Sequence, residues 1–201
     1  MGAMTTPTAL ASKALPPLAL ALLLAVPAAV RAEAPSGQAH QGHAMAAAKA
    51  PAKPPSPAAA QLEKLKALAG TWTGNAAHGG SPGEDTSVTW RVTAAGSAVV
   101  ETIAPGTPHE MVSVYHLDGD KLMLTHYCAA GNQPTMRARP SKDASIIAFD
   151  FVRGSNMKPG DMHMHSARIV LAGEDRLETE WTTWSGGKAA DSAKFALTRQ
   201  K

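Results

Sequence analysis

Two histidines separated by a single residue, His163 and His165, are the side chains best suited to chemistry in this sequence. Alternate residues of a β-strand point to the same side, so both imidazoles would face one way. His126, in another stretch with strand character, could add a third nitrogen. Imidazole nitrogens are common ligands of zinc and copper. The three histidines therefore form a candidate zinc or copper site; the alternative is that they hydrogen-bond as the lining of a polar cavity or its rim.

Further metal ligands occur in other parts of the chain. The segment 40–45, His-Gln-Gly-His-Ala-Met, offers imidazole and thioether groups, and Met162 and Met164 flank the paired histidines. This ligand set favours copper in an oxidising compartment. Glu101 and Glu110 could add a carboxylate, although the local alternation leaves open which way each one faces.

Cys128 is the only cysteine of the chain. It is compatible with a buried small apolar side chain, with an intermolecular or mixed disulfide, and with a ligand or reactive thiol. Activation by His126 is strained, because residues two apart on a strand lie about 6.5–7 Å apart at their Cα atoms. The sequence contains no serine nucleophile elbow, phosphate loop or dinucleotide fingerprint. No catalytic residue is predicted, and enzymatic activity stays open.

These side chains are positioned by a long series of period-two segments that follows one short helix near Leu62, Leu65 and Leu68. Glycine- and proline-rich turns separate about ten predicted strands. The strands are 71–78, 86–94, 98–104, 109–116, 121–128, 134–139, 145–152, 162–171, 176–184 and 190–199. The pattern predicts an all-β fold, an antiparallel up-and-down barrel, since closure removes exposed strand edges.

The same alternation predicts which side chains face the interior. Ala167, Ile169 and Leu171 share a face of their strand with His163 and His165, so that face is expected to point inward. Trp90 and Trp181 lie on apolar faces of their own strands and are expected to line the interior. The predicted ligand-binding residues are His126, His163, His165, Trp90, Trp181 and Cys128.

The chain divides into three parts. Residues 1–32 have the short apolar core and small-residue cleavage site of a secretory signal peptide. Residues 33–60 are rich in alanine and proline and predict a disordered tether. Residues 61–201 form the barrel domain. We therefore expect an exported protein, periplasmic or extracellular, with no transmembrane segment after signal cleavage.

The net charge of +3 does not come from the barrel. Four of the 19 basic residues and one of the 16 acidic residues precede residue 61, which leaves 15 of each in the domain. A neutral domain with scattered basic residues lacks the electrostatic footprint of a nucleic-acid binder.

The segment 68–74, Leu-Ala-Gly-Thr-Trp-Thr-Gly, resembles the opening of lipocalins and their relatives in the calycin group. That resemblance implies that an arginine of the last strand packs over the tryptophan and closes one barrel end. Here the pair would be Arg199 and Trp72, joined by a cation–π contact.

Three further segments resemble a family of uncharacterised exported bacterial proteins. They are Pro108–Met111, Thr125–Cys128 and Gly131–Pro134. Nitrobindins, which are ten-stranded haem barrels, share Gly-x-Trp-x-Gly. This sequence lacks the further glycines of that opening and a histidine near its final strands, so haem is not expected.

The leading functional hypothesis is a binding protein that holds a small, mostly apolar ligand in a cavity with inward-facing histidines. A histidine-based zinc or copper protein of the cell envelope is the alternative. A structural or interaction module, with an unknown protein partner, is the third hypothesis.

Overall fold

A computed structural model describes residues 55–201, which form a ten-stranded antiparallel β-barrel with one short helix. The elements are α1 (Pro57–Lys66), β1 (Gly70–His78), β2 (Glu84–Thr93), a 3-10 turn (Ala94–Gly96), β3 (Ala98–Ile103), β4 (Met111–Asp118), β5 (Lys121–Tyr127), β6 (Gln133–Arg139), β7 (Ile146–Ser155), β8 (His163–Leu171), β9 (Arg176–Ser185) and β10 (Lys188–Arg199). Each strand pairs with its neighbours in sequence, and β1 also pairs with β10, which closes the barrel. The predicted fold class is confirmed.

Helix α1 begins inside the stretch where the sequence places the tether. Ser56 is its N-cap and accepts a hydrogen bond from the backbone N–H of Ala59, and Pro57 occupies the first helical turn. Proline at this position loses no helical hydrogen bond, and the alanines that follow are strong helix formers. Leu62 and Leu65 on its inner face are buried, so the helix packs across one end of the barrel.

The closing seam joins the first and last strands at the helix end. The guanidinium carbon of Arg199 lies 4.2 Å from the ring centroid of Trp72, its register partner. The same guanidinium donates hydrogen bonds of 2.9 Å to the carbonyls of Ala67 and Ala69. Trp72 donates from Nε1 to the carbonyl of Leu68 at 2.8 Å. One arginine thus ties the last strand to the segment between α1 and β1.

Large side chains fill much of the barrel interior. Tyr115 on β4 stacks near Trp90 on β2 and tilts against Phe149 on β7, with ring centroids 5.4 and 5.6 Å away. Trp181 and Leu177 on β9 are also buried, as the alternation predicts. Ring contacts between strands that are not neighbours in the sheet therefore run through the interior.

The strands connect alternately at two ends. Helix α1 covers the end with the β2–β3 and β4–β5 turns. We call the opposite end, where β5 connects to β6 and β7 connects to β8, the far end. Within residues 55–201, no helix combines the length and apolar character needed to cross a bilayer.

Candidate functional site

Four consecutive strands place one buried side chain each in a row across the inner wall. Trp90 pairs in register with Glu101, Glu101 with Ser113, and Ser113 with His126. Each is at most 2% exposed to solvent. Directly opposed residues of neighbouring strands have Cβ atoms about 4.5–5.5 Å apart, so their side chains interact. We call these four residues the interior row.

Glu101 is a buried acid held by hydroxyl groups. The Tyr115 hydroxyl donates a 2.7 Å hydrogen bond to its Oε2. Burial raises the pKa of Glu101 from 4.5 to about 7, although hydrogen bonds from Tyr115 and Ser113 act in the opposite direction. Burial, and next the Glu101 carboxylate, raise the pKa of Tyr115 well above 10. Glu101 therefore exchanges its proton near neutral pH while Tyr115 remains a donor.

His126 ends the interior row and contacts the opposite wall. Its Nδ1 lies 3.0 Å from the hydroxyl oxygen of Ser113, and its ring centroid lies 4.7 Å from that of Trp181. Burial lowers the pKa of His126 from 6.5 to about 4, so the imidazole is neutral at pH 7. When Ser113 donates to Glu101, its oxygen accepts from Nδ1–H of His126, and Nε2 then carries the lone pair.

Three inward-facing nitrogens have no partner within the described part of the chain. They are Nε1 of Trp90, Nε1 of Trp181 and Nε2 of His126. An indole N–H can only donate. Nε2 of His126 can only accept when the proton of this imidazole is on Nδ1. Leaving a buried polar group unpaired costs about 1–3 kcal/mol. The interior therefore offers two donors and one acceptor to a small guest or to internal water.

A second group of rings lies at the far end of the barrel. The ring of His165 lies between Phe151, at 5.0 Å and 18°, and Trp184, at 3.7 Å and 11°. The ring of His163 packs 4.7 Å from Phe151 and 5.2 Å from His165. We call Phe151, His163, His165 and Trp184 the ring cluster. It includes both histidines of the His-x-His pair, and a β-bulge in β8 interrupts the pairing at His165.

Hydrogen bonds fix the tautomers of the paired histidines. Nδ1 of His163 lies 2.9 Å from the carbonyl oxygen of Asp161, which only accepts, so this nitrogen carries the proton. Nε2 of His163 therefore accepts from Nδ1 of His165, 3.0 Å away. Burial, and next the neighbouring His163, lower the pKa of His165.

The structure brings together some of the predicted site residues and separates others. His163 and His165 touch, whereas the contacts of His126 are with the interior row and Trp181. Within residues 55–201, no group of three or more histidine, cysteine, aspartate or glutamate side chains is arranged to hold a metal ion. Cys128 is a half-buried free thiol in the turn after β5, where its sulfur accepts a 3.5 Å hydrogen bond from the backbone N–H of Ala130.

The two methionines that flank the paired histidines have different surroundings. The sulfur of Met164 accepts a 3.5 Å hydrogen bond from Thr183, and Met162 is exposed. The segment 40–45 lies outside the described residues.

Sequence reasoning left the facing of Glu101 open and did not single out Ser113 or Tyr115. The available signal was that Glu101 shares the alternation of Val99 and Ile103, both of which are buried. Glu110 instead lies outside the barrel, where it accepts a 2.6 Å hydrogen bond from the backbone N–H of Gly106.

Four surface grooves formed by residues 55–201 do not include the predicted site. The most voluminous of four grooves on the described chain, about 710 Å³, lies outside the wall beside α1 and is lined by charged residues such as Lys64, Arg137 and Asp150. None of these four grooves is lined by a predicted ligand-binding residue. The candidate site is therefore the interior row together with Trp181.

The fold and site define a closed ten-stranded barrel with hydrogen-bonding groups inside a mostly apolar interior.

No protein-family model matches the sequence, and no curated protein matches it significantly. Solved structures that match include a protein of unknown function from the DUF3598 family of Nostoc punctiforme PCC 73102. The two sequences are 13% identical and the TM-score is 0.49; the match covers 68% of this chain and 49% of that chain. Rv2717c from M. tuberculosis has 18% identity and a TM-score of 0.47 over 73% of this chain and 99% of that chain. This chain spans about half of the length of the Nostoc protein.

Proposed function

We propose that this protein binds a small, mostly apolar molecule with a hydrogen-bonding group inside its barrel. The observation that carries the proposal is the set of three unpartnered interior nitrogens, on Trp90, Trp181 and His126. They lie on β2, β9 and β5, within an interior that is mostly apolar apart from the hydrogen-bonded Glu101, Ser113 and Tyr115. A guest that pairs with them removes the cost of leaving them unsatisfied.

The chemistry of these atoms limits the guest. Two indole N–H groups need an acceptor, and Nε2 of His126 needs a donor, as a hydroxyl or amide group provides. Glu101 ionises near neutral pH in the same interior, which disfavours an anionic guest. Aromatic and aliphatic side chains occupy much of the interior, so the guest is small and neutral.

Native mass spectrometry of the protein isolated from its own cells tests the proposal. A retained small molecule should leave the wild-type protein on heating or collisional activation. The variant Trp90→Phe/Trp181→Phe keeps the rings but removes both donors, so it should retain much less. Trp184→Phe, which changes a tryptophan of the ring cluster, is the matched control and should retain the molecule. Wild-type protein that carries only water, together with unchanged tryptophan fluorescence across a panel of alcohols and amides, would contradict the proposal.

We propose also that the protein is exported and that its barrel is lipocalin-like. The signal-like residues 1–32 support export, and the packing of Arg199 over Trp72 supports the lipocalin resemblance. Amino-terminal sequencing of protein from the cell envelope or medium should find a mature start near residue 33. Cytoplasmic protein with an intact first residue would contradict export.

A further inference from the structure

We propose that His163 and His165 form a two-nitrogen chelate for a borderline divalent cation, Cu²⁺ or Zn²⁺, at the far end of the barrel. This site is separate from the interior row and does not depend on the guest proposed above. The protein supplies two imidazoles, and water or an exogenous ligand completes the coordination.

The distance between the two nitrogens fits one metal ion. Nε2 of His163 and Nδ1 of His165 are 3.0 Å apart. Two nitrogens each 2.0–2.1 Å from one ion are about 2.9–3.4 Å apart when the angle at the metal is between 90° and the tetrahedral value. A cation at that distance from both nitrogens lies beside the line that joins them, so it replaces the shared proton once both rings tilt towards it. The displaced proton moves through solvent to Nε2 of His165, so that this ring binds the metal as a neutral imidazole.

The ring of His163 is already held in a tautomer that leaves Nε2 free to bind a metal. The carbonyl of Asp161 accepts from Nδ1–H of His163, which directs the lone pair of Nε2 towards His165. A second partner of this kind is the usual means of orienting a metal-bound histidine. The ring of His165 is held between Phe151 and Trp184. Little conformational entropy remains to be lost when the metal binds.

Solvent reaches the pair through His165, so water can supply further ligands of the cation. His163 is 8% exposed, whereas His165 is half-buried and gives access from solvent. Asn132 donates from Nδ2 to the carbonyl of Met162, the residue before His163, and its amide oxygen is buried without a partner in the described chain. That oxygen lies next to the start of β8, the strand that carries the pair.

The donor set selects the class of cation. Imidazole nitrogen binds copper and zinc well, and divalent affinity at such ligands is highest for copper. Calcium and magnesium prefer oxygen ligands, so they are not expected to bind here.

Calorimetric titration of the full chain with CuCl₂ and with ZnCl₂, in the presence of a competing chelator, tests the proposal. The wild-type protein should bind one equivalent more than the variant His163→Gln/His165→Gln. The affinity at that site should fall by at least about 100-fold, since loss of an orienting partner alone costs 10–100-fold. Electron paramagnetic resonance of the Cu²⁺ complex should show two nitrogen ligands that the variant lacks.

Two controls keep the result specific. The variant His109→Gln/His116→Gln removes two histidines outside the ring cluster and should bind like the wild type. The segment 40–45 is present in every variant, so any binding there cancels in the comparison. If the double variant fails to fold, His165→Gln alone should weaken binding at least about tenfold. Unchanged binding by His163→Gln/His165→Gln, or by His165→Gln in that case, would overturn the proposal, as would an equal loss in the control variant.

Discussion

Tyr115 donates a 2.7 Å hydrogen bond to Oε2 of Glu101 in the barrel interior, where both side chains are almost completely shielded from solvent. Burial of Glu101 makes its ionisation unfavourable, and the hydroxyl of Tyr115 offsets part of that cost. At the end of the interior row, beyond Ser113, burial keeps His126 neutral. The barrel thus contains an acid that keeps its proton up to about pH 7 and a base that takes one up only near pH 4.

Glu101→Gln should remove a pH dependence of stability. The acid has a pKa of about 7 when folded and 4.5 as its ordinary value. Its contribution is fully present below pH 4.5 and is lost as the pH rises through 7, a decrease of about 3 kcal/mol in the free energy of unfolding. Urea unfolding from pH 4 to 8 should therefore show that the free energy of unfolding of the variant rises relative to that of the wild type as the pH rises. Glu110→Gln, on the outside, is the control; a constant difference between Glu101→Gln and wild type would refute the buried-acid interpretation.

His126→Gln should remove a pH dependence of the opposite sign. The pKa of His126 is lowered from 6.5 to about 4, so only the unfolded chain takes up a proton between these values. Its contribution is present above pH 6.5 and is lost as the pH falls to about 4, again by about 3 kcal/mol. The variant should therefore be less stable than the wild type at neutral pH, and this difference in the free energy of unfolding should decrease as the pH falls. His109→Gln, at an exposed histidine, should follow the wild-type curve; if His126→Gln follows it as well, the histidine is not buried as a neutral base.

Arg199→Met should destabilise the barrel by about 2–3 kcal/mol. The substitution keeps an apolar cover over Trp72 but loses the cation–π contact and the hydrogen bonds to Ala67 and Ala69. Lys194→Met, on the same strand, breaks only an exposed ion pair to Glu180 and should cost less than about 1 kcal/mol. Urea unfolding compares the two variants. Equal losses would mean that Arg199 is an ordinary surface cation.

Gly74→Ala should weaken the seam between β1 and β10. A Cβ at this position would collide with the carbonyl oxygen of Ala196 and come within 3.0 Å of the Cα of Leu197. Relief requires the two strands to separate where the barrel closes, at a cost of about 3 kcal/mol. Thermal unfolding should show a lower midpoint for this variant than for Thr71→Ala, an exposed change on the same strand. Equal midpoints would show that β1 and β10 can separate at this position with little loss of stability.

Much of the fold could be predicted because alternation and turns are local properties. Trp90 and Trp181 follow the apolar period of their strands, and both are buried. The glycine- and proline-rich turns mark the strand ends within a few residues. Gly74 could be recognised as part of Gly-x-Trp-x-Gly, but only the pairing with β10 shows that a side chain there has no room.

The candidate site could be predicted only in part. Its inward-facing His126 and tryptophans follow from alternation within one strand. The hydrogen-bonded set of Glu101, Ser113 and His126 does not, because alternation leaves open which residues of neighbouring strands lie opposite each other. A shift of one residue in register would move each of these side chains to the other face.

By itself, the sequence determined an all-β chain of about ten strands and the closeness of His163 and His165. Both follow from contacts short in sequence: period-two alternation, turn residues and an i, i+2 spacing. Only the tertiary structure decided that Trp90, Glu101, Ser113 and His126 form one row, since that depends on three strand registers at once. It alone also joined His126 to Trp181 across the interior, because closing the barrel brings together walls that are far apart in sequence.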